Sequence, residues 1–556
     1  MYKRATVRFL SVTALASLVA IAACRDNPLS VENPNNPDVA DVFGTPRDVE
    51  SITSRLFQNI YNGQLGTGDD IHTQTITMSL ESSSQLGNFG MGTRGSIPRG
   101  PIDNSIGNNV ANGNFRDFDH NSRHARSAAN AIAALDRFIA AGNTTGSPAR
   151  DARAKSFAYF ALGYATSSLA LIYDSAAIVT AAVPSDVIPP LSPASEVIVA
   201  GLAALDSAYN IAASAAATTG TGGWPIPQEW LSSSGTSTTS LADWQRLIRS
   251  YRAKFRAGVA RNPTERAAVD WAAVIADATN GITTDFIVNA NATTGWTSAV
   301  QSQLAVSTGW SQMSPFILGM ADTAGSYDAW LQQGLTARTP FLLRTPDRRF
   351  PAGVDRAAQQ VASGGASRNG TPVGTILYFR NRPTGEDTPS EPWGTWFYDN
   401  HRSWGIRAAG GNGPYVMFAK VENDMLAAEG QLRTGQLAAA VTLINISRVR
   451  AGLAPIGAVA AITDQVPGGT GCVPRVPQPP NFTTTACGSI FEAMKWEKRV
   501  ETSMIGYHQW YIDSRGWGDL VQGTALEWPV PYQELFARIK PSYTTSAAAA
   551  RGTYGF

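Results

Sequence analysis

Residues 152–174 read ARAKSFAYFALGYATSSLALIYD. Phe157, Phe160, Tyr164, Leu171 and Ile172 recur at the spacing that puts one side of a helix inside a core. Ala161 and Ala165 are small enough to let a second helix approach closely. Upstream, from Ala125, the residues Ala128, Ile132, Leu135 and Ile139 share another helical face, and Gly142 ends it. Two helices joined by a short Gly/Pro turn form an αα-hairpin, and the fold class predicted from it is mainly α.

The same pattern extends in both directions. Thr45-Pro46-Arg47-Asp48 supplies an N-cap, a proline at the first helical position and an early acid, followed by Ile52, Leu56, Phe57 and Ile60. Ser192-Pro193 with Glu196 opens a helix carrying Val197, Leu202, Leu205 and Tyr209. Leu241, Trp244, Leu247, Ile248, Tyr251 and Phe255 mark the next. Residues 415–433 and 436–450 read as a later pair, and one helix is predicted from Ile490 to Tyr511. A fixed period near 34 residues, as in tetratricopeptide arrays, matches only weakly. Asp69 to Asn114 reads as Gly/Ser/Asn-rich loop, and 281–414 as long loops with a few short strands.

The chain has 556 residues, 43% hydrophobic and 16% charged, with a net charge of +1. This length exceeds what one simple core usually supports, and the composition is that of a folded chain rather than a disordered one. The balanced charge gives no field for nucleic acid or an anionic membrane. Five His and three Cys leave little material for a metal or haem site, and no cofactor is expected. Fourteen Trp exceed the expected needs of a core.

Residues 1–24 read MYKRATVRFLSVTALASLVAIAAC. Lys3, Arg4 and Arg8 precede an apolar run, Phe9 to Ala23, of secretory-signal length and short of the roughly 20 residues that span a bilayer. Its end, Ile21-Ala22-Ala23-Cys24, resembles a bacterial lipobox. Cleavage would remove residues 1–23 and leave an acylated Cys24 holding the chain to a membrane through residues 24–45, rich in Pro, Asn and Asp. Cys472 and Cys487 flank a Pro-rich loop and are expected to pair in an oxidising compartment, a ring worth about 3 kcal/mol in the chain-entropy account.

HExxH, GxSxG and the phosphate-loop motif are absent. His120 and His124 sit four apart, but no Cys or patterned carboxylate completes a metal site. Asp69-Asp70 reads as a cap or turn before it reads as a cation site. Glu497, Glu501 and Asp513 have a glycosidase reading, as a carboxylate pair; beside Lys498, Arg499 and Arg515 a salt-bridge network is the favoured reading, and no enzyme is expected.

Four segments together resemble the SusD/RagB family of outer-membrane nutrient-binding lipoproteins. They are the lipobox followed by Asn33-Pro34-Asn35-Asn36-Pro37 and Phe43-Gly44-Thr45; residues 154–179, with Asp174-Ser175 where the family has Gly-Asp; residues 421–453, with Glu422 and Glu429 seven apart and Arg448, Arg450, Ala451, Gly452 and Leu453 closing the pair; and residues 491–520 followed by Trp528-Pro529-Val530-Pro531. Arg348 in Pro346-Asp347-Arg348-Arg349-Phe350 matches a further short element. The resemblance implies one integrated SusD-like fold: tetratricopeptide-like helical hairpins, four in number, plus a loop-rich region with few short strands, divided into an N-terminal helical region (46–260) and a C-terminal region (261–556). It implies a lipid-anchored, surface-exposed outer-membrane protein that hands a nutrient, by default an oligosaccharide, to a SusC-like TonB-dependent transporter. A peptide ligand and a non-catalytic helical adaptor of the envelope are the alternatives.

Sugar rings stack on aromatics while amides and charged groups bond hydroxyls. On that basis the candidate contacts are Trp296, Trp310, Tyr327 and Trp330 in the middle region, near Asn289, Asn291 and Gln312, and Asn88, Phe89 and Arg94 in the early loop.

Overall fold

The computed structural model describes residues 43–66, 69–83, 87–108, 110–218, 224–234, 239–297, 312–364, 376–386 and 396–556. Local signals start most helices. Thr45 and Asp48 form a reciprocal capping box on α1 (Pro46–Thr53). Ser54 and Arg55 then break the run that the sequence reads as continuous, and α2 (Leu56–Leu65) follows. Asp70 accepts from the Thr73 amide and caps α3 (Ile71–Met78), which is buried on every side. This corrects the expectation of loop across 69–114. The long α4 (Ala111–Ala140) also starts well before the predicted Ala125.

Ser147 caps α5 (Pro148–Ile172), and Ser240 caps α7 (Leu241–Gly258); between them lies α6 (Ala194–Ala212). Then come α8 (Pro263–Ala267), α9 (Trp271–Thr279), α10 (Lys420–Arg433), α11 (Leu437–Arg450), α12 (Ile490–Glu501) and α13 (Gln509–Trp517). The helix expected over Ile490–Tyr511 is therefore two. Met504 and His508 hold left-handed backbone conformations between them, at φ 55° and 58°, with Gly506 at 71°.

In space α4, α5, α6, α7, α9, α10, α11 and α12 pack each upon the next, giving four helical hairpins. The third, α9 with α10, is interrupted in sequence by residues 280–419. That insertion leaves and returns through one antiparallel ribbon, Phe286–Ala290 against Gly413–Phe418, the latter expected to be helical from residue 415. The remaining strands among the described residues form only two-stranded sheets.

One large core joins the early helices. A second, built around Phe316, Tyr327, Trp330, Phe341, Phe379 and Trp396, lies beneath the inserted region and is closed by Trp496 and Trp510 from α12 and α13. Of the described tryptophans only Trp404 is not buried; the excess of Trp builds cores. Cys472 and Cys487 are joined in a disulfide with Cα atoms 5.7 Å apart.

Candidate ligand-binding site

One short strand pair joins the early loop to the inserted region, and a second lies within that region. Ser82–Ser83 pairs antiparallel with Gln312–Met313. The buried Gln312 side chain accepts from the Trp396 amide at 3.1 Å. Phe379–Asn381 pairs with Tyr398–Asn400, and Arg380 binds Asp399 at 2.7 Å. The floor under them is fixed by Glu81, whose Oε1 accepts from the Met504 amide at 2.6 Å; burial raises its carboxyl to about 8. Ser83, Gln312 and Trp396 are thereby held side by side.

The expected contacts divide on this frame. Asn88 is exposed at the rim, and Phe89 is half-buried beside it with φ 54°. Trp310 lies outside the described residues, as do Cys24 and nearly all of the tether. Trp296 is corrected: it is 1% exposed, and its ring packs on Tyr61 and Phe57 with centroids 5.5 and 6.3 Å away. Tyr327 and Trp330 are also corrected. They occupy one turn of a short helix, Ser326–Leu331, whose apolar side faces the second core. Tyr327 donates its hydroxyl to the Phe316 carbonyl, and Trp330 is covered by Phe316 at 5.0 Å and by Arg338 at 4.0 Å. These three rings have no open face for a ligand.

Arg94 is buried and donates to the Pro101 carbonyl at 3.0 Å, so it ties the early loop to itself; burial lowers its pKa. Asn291 caps the turn at 292–294. Asn289 is half-buried and lines an open pocket of 470 Å³ with Gln228, Asp243 and Arg246.

Three aromatics escape the sequence reading. Phe397 is half-buried beneath the Arg356 guanidinium, 4.3 Å from its centroid; Tyr378 lies under Arg402 at 4.2 Å; Trp404 is half-buried over the second core. Strand alternation through Trp396-Phe397-Tyr398 is the available signal: Trp396 and Tyr398 point in, so Phe397 points out.

The carboxylates weighed as catalytic are absorbed by ion pairs. Arg349 contacts Asp347 at 2.7 Å, Glu497 at 2.9 Å and Glu501 at 3.1 Å, all buried. Burial alone would raise Glu501, but Arg349, Arg402 and Arg450 outweigh it and hold the group at about 2. Arg266 joins Glu429 at 2.6 Å and Asp513 at 3.2 Å. Glu429 likewise sits at about 2, with Arg266, Arg433 and Lys498 overcoming desolvation. Among the described residues no group of His, Cys, Asp or Glu is placed to hold a metal ion, and no helix is long and apolar enough to cross a membrane.

No protein-family model and no curated protein matches the chain. Solved structures do. A SusD homolog from Parabacteroides distasonis superposes with a TM-score of 0.50 at 14% identity, covering 84% of this chain and 84% of its own. A SusD superfamily protein from the same organism gives 0.50 at 10% identity, covering 89% of this chain and 98% of its own. The chain has a SusD-like fold.

Proposed function

We propose that this chain is a surface lipoprotein of the SusD/RagB kind. It binds an oligosaccharide and passes it to a TonB-dependent outer-membrane transporter without altering it. The likeness to a SusD homolog across 84% of the chain carries this reading. The leader ending in Cys24 supports the location: two or more acyl chains on that cysteine give firm anchoring where one is marginal. The buried, ion-paired state of Glu497, Glu501 and Asp513 favours binding over hydrolysis.

The ligand contacts proposed are Asn88 and Phe89 at the rim of the strand-pinned loops, with Trp310 from the segment leading into Gln312. Stacking supplies affinity and the amide supplies hydroxyl recognition. The experiment is a glycan-array and peptide-library screen with the chain lacking residues 1–24. The expected result is saturable binding of an oligosaccharide that Trp310→Ala weakens by about 2 kcal/mol, roughly thirtyfold. Selection of peptides alone would replace the ligand class, and undiminished binding by Asn88→Ala, Phe89→Ala and Trp310→Ala alike would move the site elsewhere.

A further inference from the structure

The Pro-rich loop between Cys472 and Cys487 has no part in the function proposed above. It folds as a hairpin, Arg475–Pro477 against Thr485–Cys487, closed by the disulfide. Pro477, Pro479 and Phe482 from this hairpin wall a cavity of 740 Å³. The C-terminal tail forms another wall and is strapped down through its backbone. The Ala549 amide donates to the Thr524 carbonyl at 2.8 Å, and the Thr553 amide to the Gly518 carbonyl at 3.0 Å. The end of α13, with Trp517, and the turn into α8, with Arg261, complete the enclosure. Interiors of folded chains close-pack, so an opening of this size between fixed elements is room for a ligand.

Phe482 gives an independent sign. Its φ is 56°, left-handed, where a bulky residue is strained and Gly or Asn is at ease. The ring belongs to none of the apolar cores. It is half-buried at the cavity, with the Arg551 guanidinium 4.7 Å from its centroid. A Cβ on Gly555 would collide with it, so the tail leaves room for this ring. Folding asks for a left-handed residue at 482 and gains no core contact from a phenyl ring there.

The remaining lining is cationic: Arg261, Arg515 and Arg551. Arg515 is 1% exposed and donates to the carbonyls of Leu171, Leu526 and Gly258 at 2.9, 2.7 and 3.1 Å. Burial lowers its pKa to about 10. Arg551 is exposed and donates to the Gly555 carbonyl. Among the described residues neither has a carboxylate within ion-pairing distance. Arg261 pairs with Glu527 at 3.1 Å. Glu265 is engaged by the Arg261 amide and the Asn262 side chain, both at 2.7 Å. Two guanidinium nitrogens, Arg261 Nη1 and Arg515 Nε, are buried with no hydrogen-bond partner among the described residues. A buried cation without a counter-ion is costly, and a guanidinium matches a carboxylate in charge and in planar geometry.

We infer that this cavity is a second ligand site, for a small molecule carrying a carboxylate on a ring with an apolar face. The ring lies against Phe482, and the carboxylate meets Arg261 and Arg515. The site stands independently of the function proposed above. An aromatic acid and a uronic acid ending a sugar share this chemistry, and the test separates them. Isothermal titration calorimetry on the chain lacking residues 1–24 compares 2-naphthoate and digalacturonate, each beside its neutral counterpart, 2-naphthamide and the methyl-esterified disaccharide. One acid is expected to bind saturably, the tighter of the two identifying the source, and its neutral counterpart should bind at least tenfold more weakly. Arg515→Gln would also uncap three carbonyls, so two other variants test the cavity. Ala550→Trp, which fills the opening from an exposed position, and Phe482→Asn should each weaken the tighter acid at least tenfold. Phe482→Asn should melt at the same temperature as the wild type or higher, a split that a structural role for the ring would not produce. Asn88→Ala and Phe89→Ala should leave this binding unchanged. Binding of neither acid, equal binding of the neutral counterpart, or undiminished binding by Ala550→Trp and Phe482→Asn would overturn the inference. Loss of the acid in Asn88→Ala or Phe89→Ala would place it with the cargo and overturn the inference as well.

Discussion

Arg349 has three carboxylates around it and no exposed surface. Removing one partner from such a cluster leaves uncompensated buried charge, which costs about 3–5 kcal/mol. Arg349→Met should therefore lower the urea midpoint by that equivalent, whereas Arg150→Ala, at a solvent-facing pair with Glu50, should cost about 1 kcal/mol or less. Glu81 predicts a pH dependence of the opposite sign to the ion pairs. Its folded carboxyl keeps its proton to about 8, against an ordinary value of 4.5. Between those values the folded state holds the extra proton, so stability falls as pH rises and levels off above about 8. Glu429 and Glu501, held near 2, give stability that is complete above 4.5 and lost as pH drops toward 2. In thermal melts from pH 5 to 8, Glu81→Gln should lose less stability, or gain more, with rising pH than the wild type. At this scale the roles of Glu497 and Glu501 are legible because Lys and Arg crowd their own helix. Their partner Arg349 is 148 residues from Glu497, beyond any local pattern. Trp296, Tyr327 and Trp330 mislead for the same reason: an aromatic in a Gly/Asn-rich stretch resembles a ligand contact until distant chain covers it.

The crossing of α5 and α6 shows how an element is placed by what it lacks. A Cβ on Gly163 would fall 2.7 Å from Leu205 Cγ and 2.8 Å from the Gly201 carbonyl oxygen. Gly163→Ala should destabilise by about 1–3 kcal/mol through overpacking, read by chemical denaturation. The sequence points to Ala161 and Ala165 for this close approach; both are buried, yet the contact is made at the glycine between them. Helices with one wet side, such as α4 and α7, announce themselves by periodicity. The α3 segment, IHTQTITM, is buried all round and rich in Thr, so it carries no stripe and reads as loop. The break between α12 and α13 depends on Met504 and His508 accepting left-handed conformations, which nothing in their side chains advertises.

For the whole molecule, the four hairpins form a scaffold into which residues 280–419 are inserted through a single ribbon. The order of α4, α5, α6, α7, α10, α11 and α12 is legible because each carries its own signal. The pairing of α9 with α10 is not, because the insertion separates them. The proposed function places cargo at the loops that lead from the Ser82–Ser83 and Gln312–Met313 strand pair. Under the proposed function the chain returns its ligand as it received it. The most direct measurement titrates the chain lacking residues 1–24 with the oligosaccharide selected from the array, then determines the mass of the recovered sugar. Saturable binding with the sugar's mass unchanged after prolonged incubation is the predicted result; a shortened or modified sugar, or the absence of any saturable ligand, would contradict the account.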